Sequence, residues 1–379
     1  MFARYAAIVE TLGHFQSHKQ THASAPSACD DGSIVCHGRR VAIIPMSMKF
    51  FLKTIALFVC CSIHAAEFQG SIERLDPALD ALIAPDAKVE RLAEGFNWSE
   101  GPTWYEGAVV FSDVPENIIY RWKEGMTKAE VFIKPSGMTT SVEGFREKGS
   151  NGLSTDAQGR LLVCMHGDRR VARWEKGVFT TLADRFDGKR LNSPNDLAVR
   201  KNGDIYFTDP PYGFERGNES LLKEQPFNGV YRVNTKGEVT LITKDVDWPN
   251  GIGFSPDEKI LYVAVSDGRA PHIMAFDVQA DGSVTNERVF FDAMKVGKKG
   301  DKGSCDGMKV DARGNLWATG PGGVLVISPG GKLLGRILTG QATANCCWGD
   351  DGATLYIAAD MFLVRVKTLT KGAGFSSGK

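Results

Sequence analysis

The chain has 379 residues, with 45 Lys and Arg against 45 Asp and Glu and a hydrophobic content of 42%. That length holds two average domains or one large all-β domain. Balanced charge without a dense basic stripe excludes a nucleic-acid binder; the one local cluster, Lys295, Lys298, Lys299 and Lys302 in a Gly-rich stretch, reads as a solvated loop.

Residues 1–47 show neither strand nor helix patterning. His14, His18 and His22 have helical spacing there, but nothing around them is amphipathic, so they are not read as a metal face. Met48 to Lys53 is a short basic start, Thr54 to Ile63 an apolar run, and His64-Ala65-Ala66 an imperfect cleavage site. Residues 48–66 are thus expected to be a signal peptide, with the protein periplasmic or secreted. The apolar run is too short to span a bilayer, so no stable membrane insertion is expected. Residues 1–47 read as a mis-called upstream extension, with translation beginning at Met46 or Met48. Residues 67–379 form the folded domain. Its cysteines, Cys164, Cys305, Cys346 and Cys347, lack zinc-type spacing and are expected to be free or buried.

After a lead-in from Gln69 to Ala93 come short β-branched runs separated by Gly, Asn and Asp turns. Arg160 to Cys164, Asp204 to Thr208, Gly229 to Val233, Leu316 to Thr319 and Val324 to Ile327 are examples. Such runs are antiparallel meander signals. Six units begin at Glu100, Asn151, Asn195, Asn250, Asp306 and Cys346, spaced by 51, 44, 55, 56 and 40 residues. In four of them the next turn tip (Gly159, Gly203, Glu258, Gly314) falls eight positions later. This period predicts an all-β chain, a six-bladed β-propeller of four-stranded antiparallel blades. The sixth unit is short, and the segment around Val89 to Leu92 is expected to complete it. Two long connections, Asp209 to Asn228 and Asp292 to Ser304, are expected at the rim, with Tyr212 and Phe214 walling a pocket.

In a propeller the six starting residues converge on one axis. An Asn-Gly or Asp-Gly pair alone is more often a turn. Here the hairpin turns lie eight residues further on, so these pairs mark strand entrances. Two carboxylates among amides suit one divalent cation, calcium first, with magnesium, manganese or zinc also able to occupy so open a site. His166, at a strand end, is open to three roles: general acid/base, ligand of substrate hydroxyls, or ordinary loop histidine. Gly374 to Gly378 fits a nucleophile-elbow pattern but lacks the helix that must follow.

Lys189 to Asp196, Phe207 to Gly213, Ser99 to Pro102, Trp248 to Ile252, Cys305 to Met308 and Gly320 to Val324 together resemble bacterial gluconolactonases. Those enzymes belong to the family of senescence marker protein-30, gluconolactonases and luciferin-regenerating enzymes. The resemblance covers roughly Leu92 to Val366. It implies a six-bladed propeller holding one divalent cation, usually calcium, at Glu100, Asn195, Asn250 and Asp306. It further implies hydrolysis of a small-molecule sugar lactone, with glucono-1,5-lactone the first candidate. Asp306 is the expected general base, His166 the second choice, and Asn151, Tyr212 and Trp248 the expected substrate contacts. The basic substrate-binding residue of the animal proteins is replaced by Ser193, which leaves the sugar open. Another lactone, an organophosphate, or a non-catalytic binding scaffold are the alternatives, and both a monomer and a small homo-oligomer remain open.

Overall fold

The computed structural model describes residues 68 and 70–375; the expected upstream extension and signal peptide lie outside the described residues. Among the described residues six large antiparallel sheets follow one another in chain order, with a two-stranded ribbon, Arg185–Phe186 and Lys189–Arg190, between the second and third. Their inner strands are Ser99–Tyr105, Ser150–Thr155, Leu197–Val199, Pro249–Phe254, Met308–Val310 and Asn345–Gly349. Each inner strand touches those of both neighbours, the last meeting the first, so the sheets are the blades of a closed propeller. No helix among the described residues is long and apolar enough to cross a membrane.

The core explains why the middle strands read as unbroken apolar runs rather than alternating ones. A blade is covered on both faces, so neither side chain of a period-two pair meets water. In blade 2, Leu161 and Val163 pack against Tyr105, Val110 and Ile119 of blade 1. Leu162 and Cys164, on the opposite face, pack against Leu197, Ile205 and Phe207 of blade 3. The same alternation separates the vicinal cysteines. Cys346 lies between blades 5 and 6 and Cys347 between blades 6 and 1. All four cysteines of the described residues are free and buried, as expected.

The ring closes as the sequence suggests. Val89–Glu94 pairs with Phe362–Lys367 and becomes the outer strand of blade 6. A second closure was not legible. Ser71–Arg74 adds a fifth strand to blade 5 by pairing with Leu333–Leu338. A 3-10 turn, Pro77–Ala81, capped by the Asp76 side chain, joins the two strands and buries Leu79 between blades 5 and 6. The fully buried Arg336 anchors this join. Its guanidinium meets Glu73 and Asp301 at 2.5 Å each. Two carboxylates and the Pro321 carbonyl satisfy a cation that would be costly to bury alone.

Candidate active site at the propeller axis

Three of the ring residues, Glu100, Asn151 and Asn250, lie at a local irregularity of their strands. At Glu100–Thr103, Ser150–Leu153 and Pro249–Ile252 the inner strand carries one residue more than its partner. A bulge of this kind re-aims a side chain and is common beside active sites. The following glycine exists because the next blade arrives there. A Cβ on Gly251 would stand 2.1 Å from the Asp306 carbonyl, and one on Gly101 2.1 Å from that of Asn151. Asn-Gly is therefore a close-approach signal here and not a hairpin turn. Gly251→Ala is expected to destabilise the fold by about 1–3 kcal/mol through this overpacking, read as a lowered urea midpoint. A midpoint equal to wild type would count against the close approach.

The structure brings Glu100, Asn151, Asn195, Asn250 and Asp306 to one level and corrects the sixth position. Gly152 N–H donates to Asn195 O at 2.7 Å, and Gly307 N–H donates to Ala344 O at 2.7 Å. Ala344 is therefore the counterpart of Asn195, and Asn345 that of Asp196. Cys346 lies beyond the ring, its thiol on the Trp317 carbonyl inside the core. Blade 6 has no Asn-Gly or Asp-Gly pair to mark the position, so the period pointed too far along. A second tier lies one residue on: Asn345 Nδ2 meets Asp196 Oδ2 at 3.3 Å across the axis.

Glu100, Asn195 and Asn250 are buried, whereas Asp306 is half-buried. Asn195 Nδ2 meets Asn250 Oδ1 at 2.6 Å, and Asn250 Nδ2 donates to Ser266 Oγ at 2.9 Å. Gly101 N–H donates to Glu100 Oε2 at 2.8 Å. Burial pushes the Glu100 carboxyl up to about 8, assisted by the charges of Asp196 and Glu147. Burial raises Asp306 well above the ordinary carboxylate value too, and Glu100, Asp196 and Glu147 add to it. Every charged side chain acting strongly on these two groups is thus another carboxylate. Asp306 Oδ1 and Asn151 Oδ1 are closed off from solvent without a hydrogen-bond partner.

These are the features of a hard-cation site: carboxylates that repel one another, neutral amide oxygens beside them, and an orphaned oxygen. Glu100, Asn195, Asn250 and Asp306 fit a divalent cation on that ground. No three His, Cys, Asp or Glu groups cluster for a metal among the described residues, so a cation here would need the amide oxygens as well.

The mouth is walled by two loops. Tyr212 and Trp248 stack at 5.8 Å, with Tyr212 OH donating to the Trp248 carbonyl at 3.1 Å. Trp248 has φ +54°, a strained backbone state for a bulky residue. Phe214 does not wall the pocket as expected; it is fully buried, beneath the Arg169 guanidinium and against Phe145. Ser193 Oγ donates to the Pro210 carbonyl at 2.6 Å and accepts from Gly213 N–H at 3.0 Å, so it ties down the Tyr212 loop.

Glu147 is the site residue that sequence reasoning missed. It sits on the connection between blades 1 and 2, residues 134–149, which has no strand period to place it. Arg146 N–H and Glu147 N–H both donate to the Gly213 carbonyl, joining this connection to the Tyr212 loop. Arg146 lies 3.1 Å from Glu147 Oε1 and also donates to the Tyr212 carbonyl. His166 is fully buried, with Nε2 3.3 Å from Asn195 Oδ1.

Residues 98–360 match the family described as the SMP-30/Gluconolactonase/LRE-like region. The chain is 38% identical over 312 residues to a gluconolactonase from Zymomonas mobilis, covering 80% of this chain and 87% of that one. A solved gluconolactonase from Xanthomonas campestris is 32% identical with a TM-score of 0.68, covering 78% of this chain and 94% of that one. A solved calcium-binding protein, a regucalcin from Agrobacterium tumefaciens, is 20% identical with a TM-score of 0.57. It covers 74% of this chain and 96% of that one, and shows the shared fold alone.

Proposed function

This chain belongs to the SMP-30/gluconolactonase/LRE-like family, and from that premise we propose that it hydrolyses a sugar lactone, glucono-1,5-lactone first, with a divalent cation at the axis. The observation that carries the reading is Glu100 and Asp306 among amide oxygens, two carboxylates raised by burial and by the like charges around them. Glu100, Asn195, Asn250 and Asp306 would hold the cation, with calcium the best match to hard oxygen donors. When bound, it supplies Lewis-acid polarisation of the lactone carbonyl and charge for the developing oxyanion.

The chain's own groups do the rest. Asp306, the less buried of the two carboxylates, takes the proton of the attacking water as its oxygen adds to the carbonyl carbon. The ring C–O bond then breaks, and the leaving alkoxide takes that proton from Asp306, giving the open hydroxy acid and restoring the carboxylate. Tyr212 and Trp248 offer a stacked aromatic wall to the apolar face of a sugar ring. Asn151 Oδ1, unpartnered at the axis, is placed to accept from a substrate hydroxyl. Export to the periplasm belongs to this same proposal.

The test is pH-stat hydrolysis of glucono-1,5-lactone, in chelator and with Ca²⁺ restored. The expected result is turnover above the spontaneous rate that chelator removes and Ca²⁺ returns. Cation binding without turnover of any aldonolactone would move the substrate to another ester class. Absence of both would leave a binding scaffold.

A further inference from the structure

One charged pair takes no part in the proton transfers at the axis. Arg146 and Glu147 lie on the connection between blades 1 and 2, with Glu147 four residues ahead of Asn151. Both main-chain N–H groups donate to the Gly213 carbonyl, which fastens the pair to the Tyr212 loop. Arg146 Nη2 donates to the Tyr212 carbonyl and lies 3.1 Å from Glu147 Oε1. One corner of each planar group is thus held and the rest is free. Among the described residues Arg146 Nη1 and Nε have no acceptor, and Glu147 Oε2 has no donor within hydrogen-bond distance. The carboxylate stands one imidazole ring away from Asn195. Oε2 is 3.9 Å from His166 Nδ1, and the other ring nitrogen touches Asn195. The Glu147 charge accordingly bears on Glu100, Asp306 and Tyr212. Arg146 is exposed, and Glu147, Tyr212 and Trp248 are half-buried, whereas Glu100, Asn151, Asn195 and Asn250 are buried.

These neighbours suit the edge of a sugar ring. The Tyr212–Trp248 stack offers cover for an apolar C–H face. A hydroxyl both donates and accepts, whereas a guanidinium only donates and a carboxylate only accepts. Side by side, Arg146 and Glu147 therefore match hydroxyls in either sense. The pairing also decides the charge of what binds. A lone guanidinium favours a phosphate or a carboxylate. With Glu147 beside it the pair is neutral as a whole, which favours uncharged hydroxyls.

We propose that Arg146 and Glu147 are specificity-determining residues: they bind the ring hydroxyls of a neutral sugar lactone whose carbonyl lies at the axis, and so select hydroxylated lactones over bare ones. The proposal deepens the reading of this site as a sugar lactonase and rests on it, but its first test does not depend on turnover.

That test uses 1,5-anhydroglucitol, which carries the ring and hydroxyls of glucono-1,5-lactone without the carbonyl. It is titrated against the full-length chain in Ca²⁺ and followed by ligand-observed NMR. The wild type is expected to bind it. Glu147→Gln and Arg146→Met are each expected to weaken binding by about 10- to 100-fold, the scale of one lost hydrogen bond to a charged group. The second readout is the ratio of kcat/KM for glucono-1,5-lactone to that for δ-valerolactone, the same ring ester without hydroxyls. The ratio is expected to fall by a similar factor in each variant, chiefly through KM for the sugar lactone. Being a ratio, it does not depend on the fraction of the variant that folds, and any change around Asp306 acts on both lactones. No anhydroglucitol binding by the wild type would overturn the proposal. So would equal losses on the two lactones, as expected of residues that only hold the Tyr212 loop. Anhydroglucitol binding that needs both residues, without turnover of any lactone, would count against the proposed function alone.

Discussion

Asp306→Asn is expected to lower lactone turnover by about 10³-fold, the scale of a lost general base, while raising the melting temperature of the chelated protein. The two effects share one cause. Asp306 lies beside Glu100, with burial and that like charge both opposing its ionised form. An amide of the same shape removes the repulsion and keeps the packing, so the fold gains what the chemistry loses, a frequent trade at active sites. A gain of about 1–2 °C in chelator corresponds to about 1 kcal/mol at this chain size. The substituted amide also keeps one neutral oxygen toward the axis, so Ca²⁺ is expected to bind weakly and not to vanish. Calorimetric melting with and without Ca²⁺, beside pH-stat rates, checks both halves. Wild-type turnover in this variant would sink the assignment of Asp306, and a lowered melting temperature in chelator would sink the account of its environment.

The second large effect is a reversal of pH dependence by the cation. Glu100 is raised from 4.5 to about 8, so the folded state binds its proton more tightly than the unfolded chain does. Its contribution to stability is therefore whole below pH 4.5 and is lost as pH rises toward 8. Asp306 shifts in the same direction. In chelator the melting temperature is expected to fall between about pH 5 and 8, because both carboxyls must ionise unpaired. In Ca²⁺ the trend inverts. Binding requires the deprotonated carboxylates, so its stabilisation grows with pH and reaches about 4 kcal/mol at a thousand times Kd. A scan of melting temperature against pH in the two buffers should give curves that diverge upward in pH. Parallel curves would mean that Glu100 and Asp306 are not cation ligands.

The ring was legible in the sequence where two physical demands coincide at one position. At Asn151-Gly152 and Asn250-Gly251 a bulge aims the side chain inward and the next blade needs a glycine beside it, whereas Asp306-Gly307 carries the glycine mark alone. Blade 6 breaks the coincidence. Ala344 holds the ring position, and Asn345 fills the place that glycine takes elsewhere, so Cys346 was chosen instead. Glu147 was invisible for a different reason. It reaches the site through hydrogen bonds between two loops, and loop-to-loop contacts leave no period in the chain. Phe214 was misjudged because an aromatic residue near a mouth reads the same whether it faces the opening or, as here, lies fully buried.

The double closure bears on how this molecule comes into being. Ser71 pairs with Leu338, and Val89 with Val366, near the opposite end of the chain. Contacts of such long range form late and slow the final ordering step. The closing strands are synthesised first, and until blades 5 and 6 emerge they remain unpaired edges, the kind of surface that invites aggregation. A nascent chain of this design stays unfinished until nearly its last residue has been made, and truncations at either end should leave a ring that cannot shut.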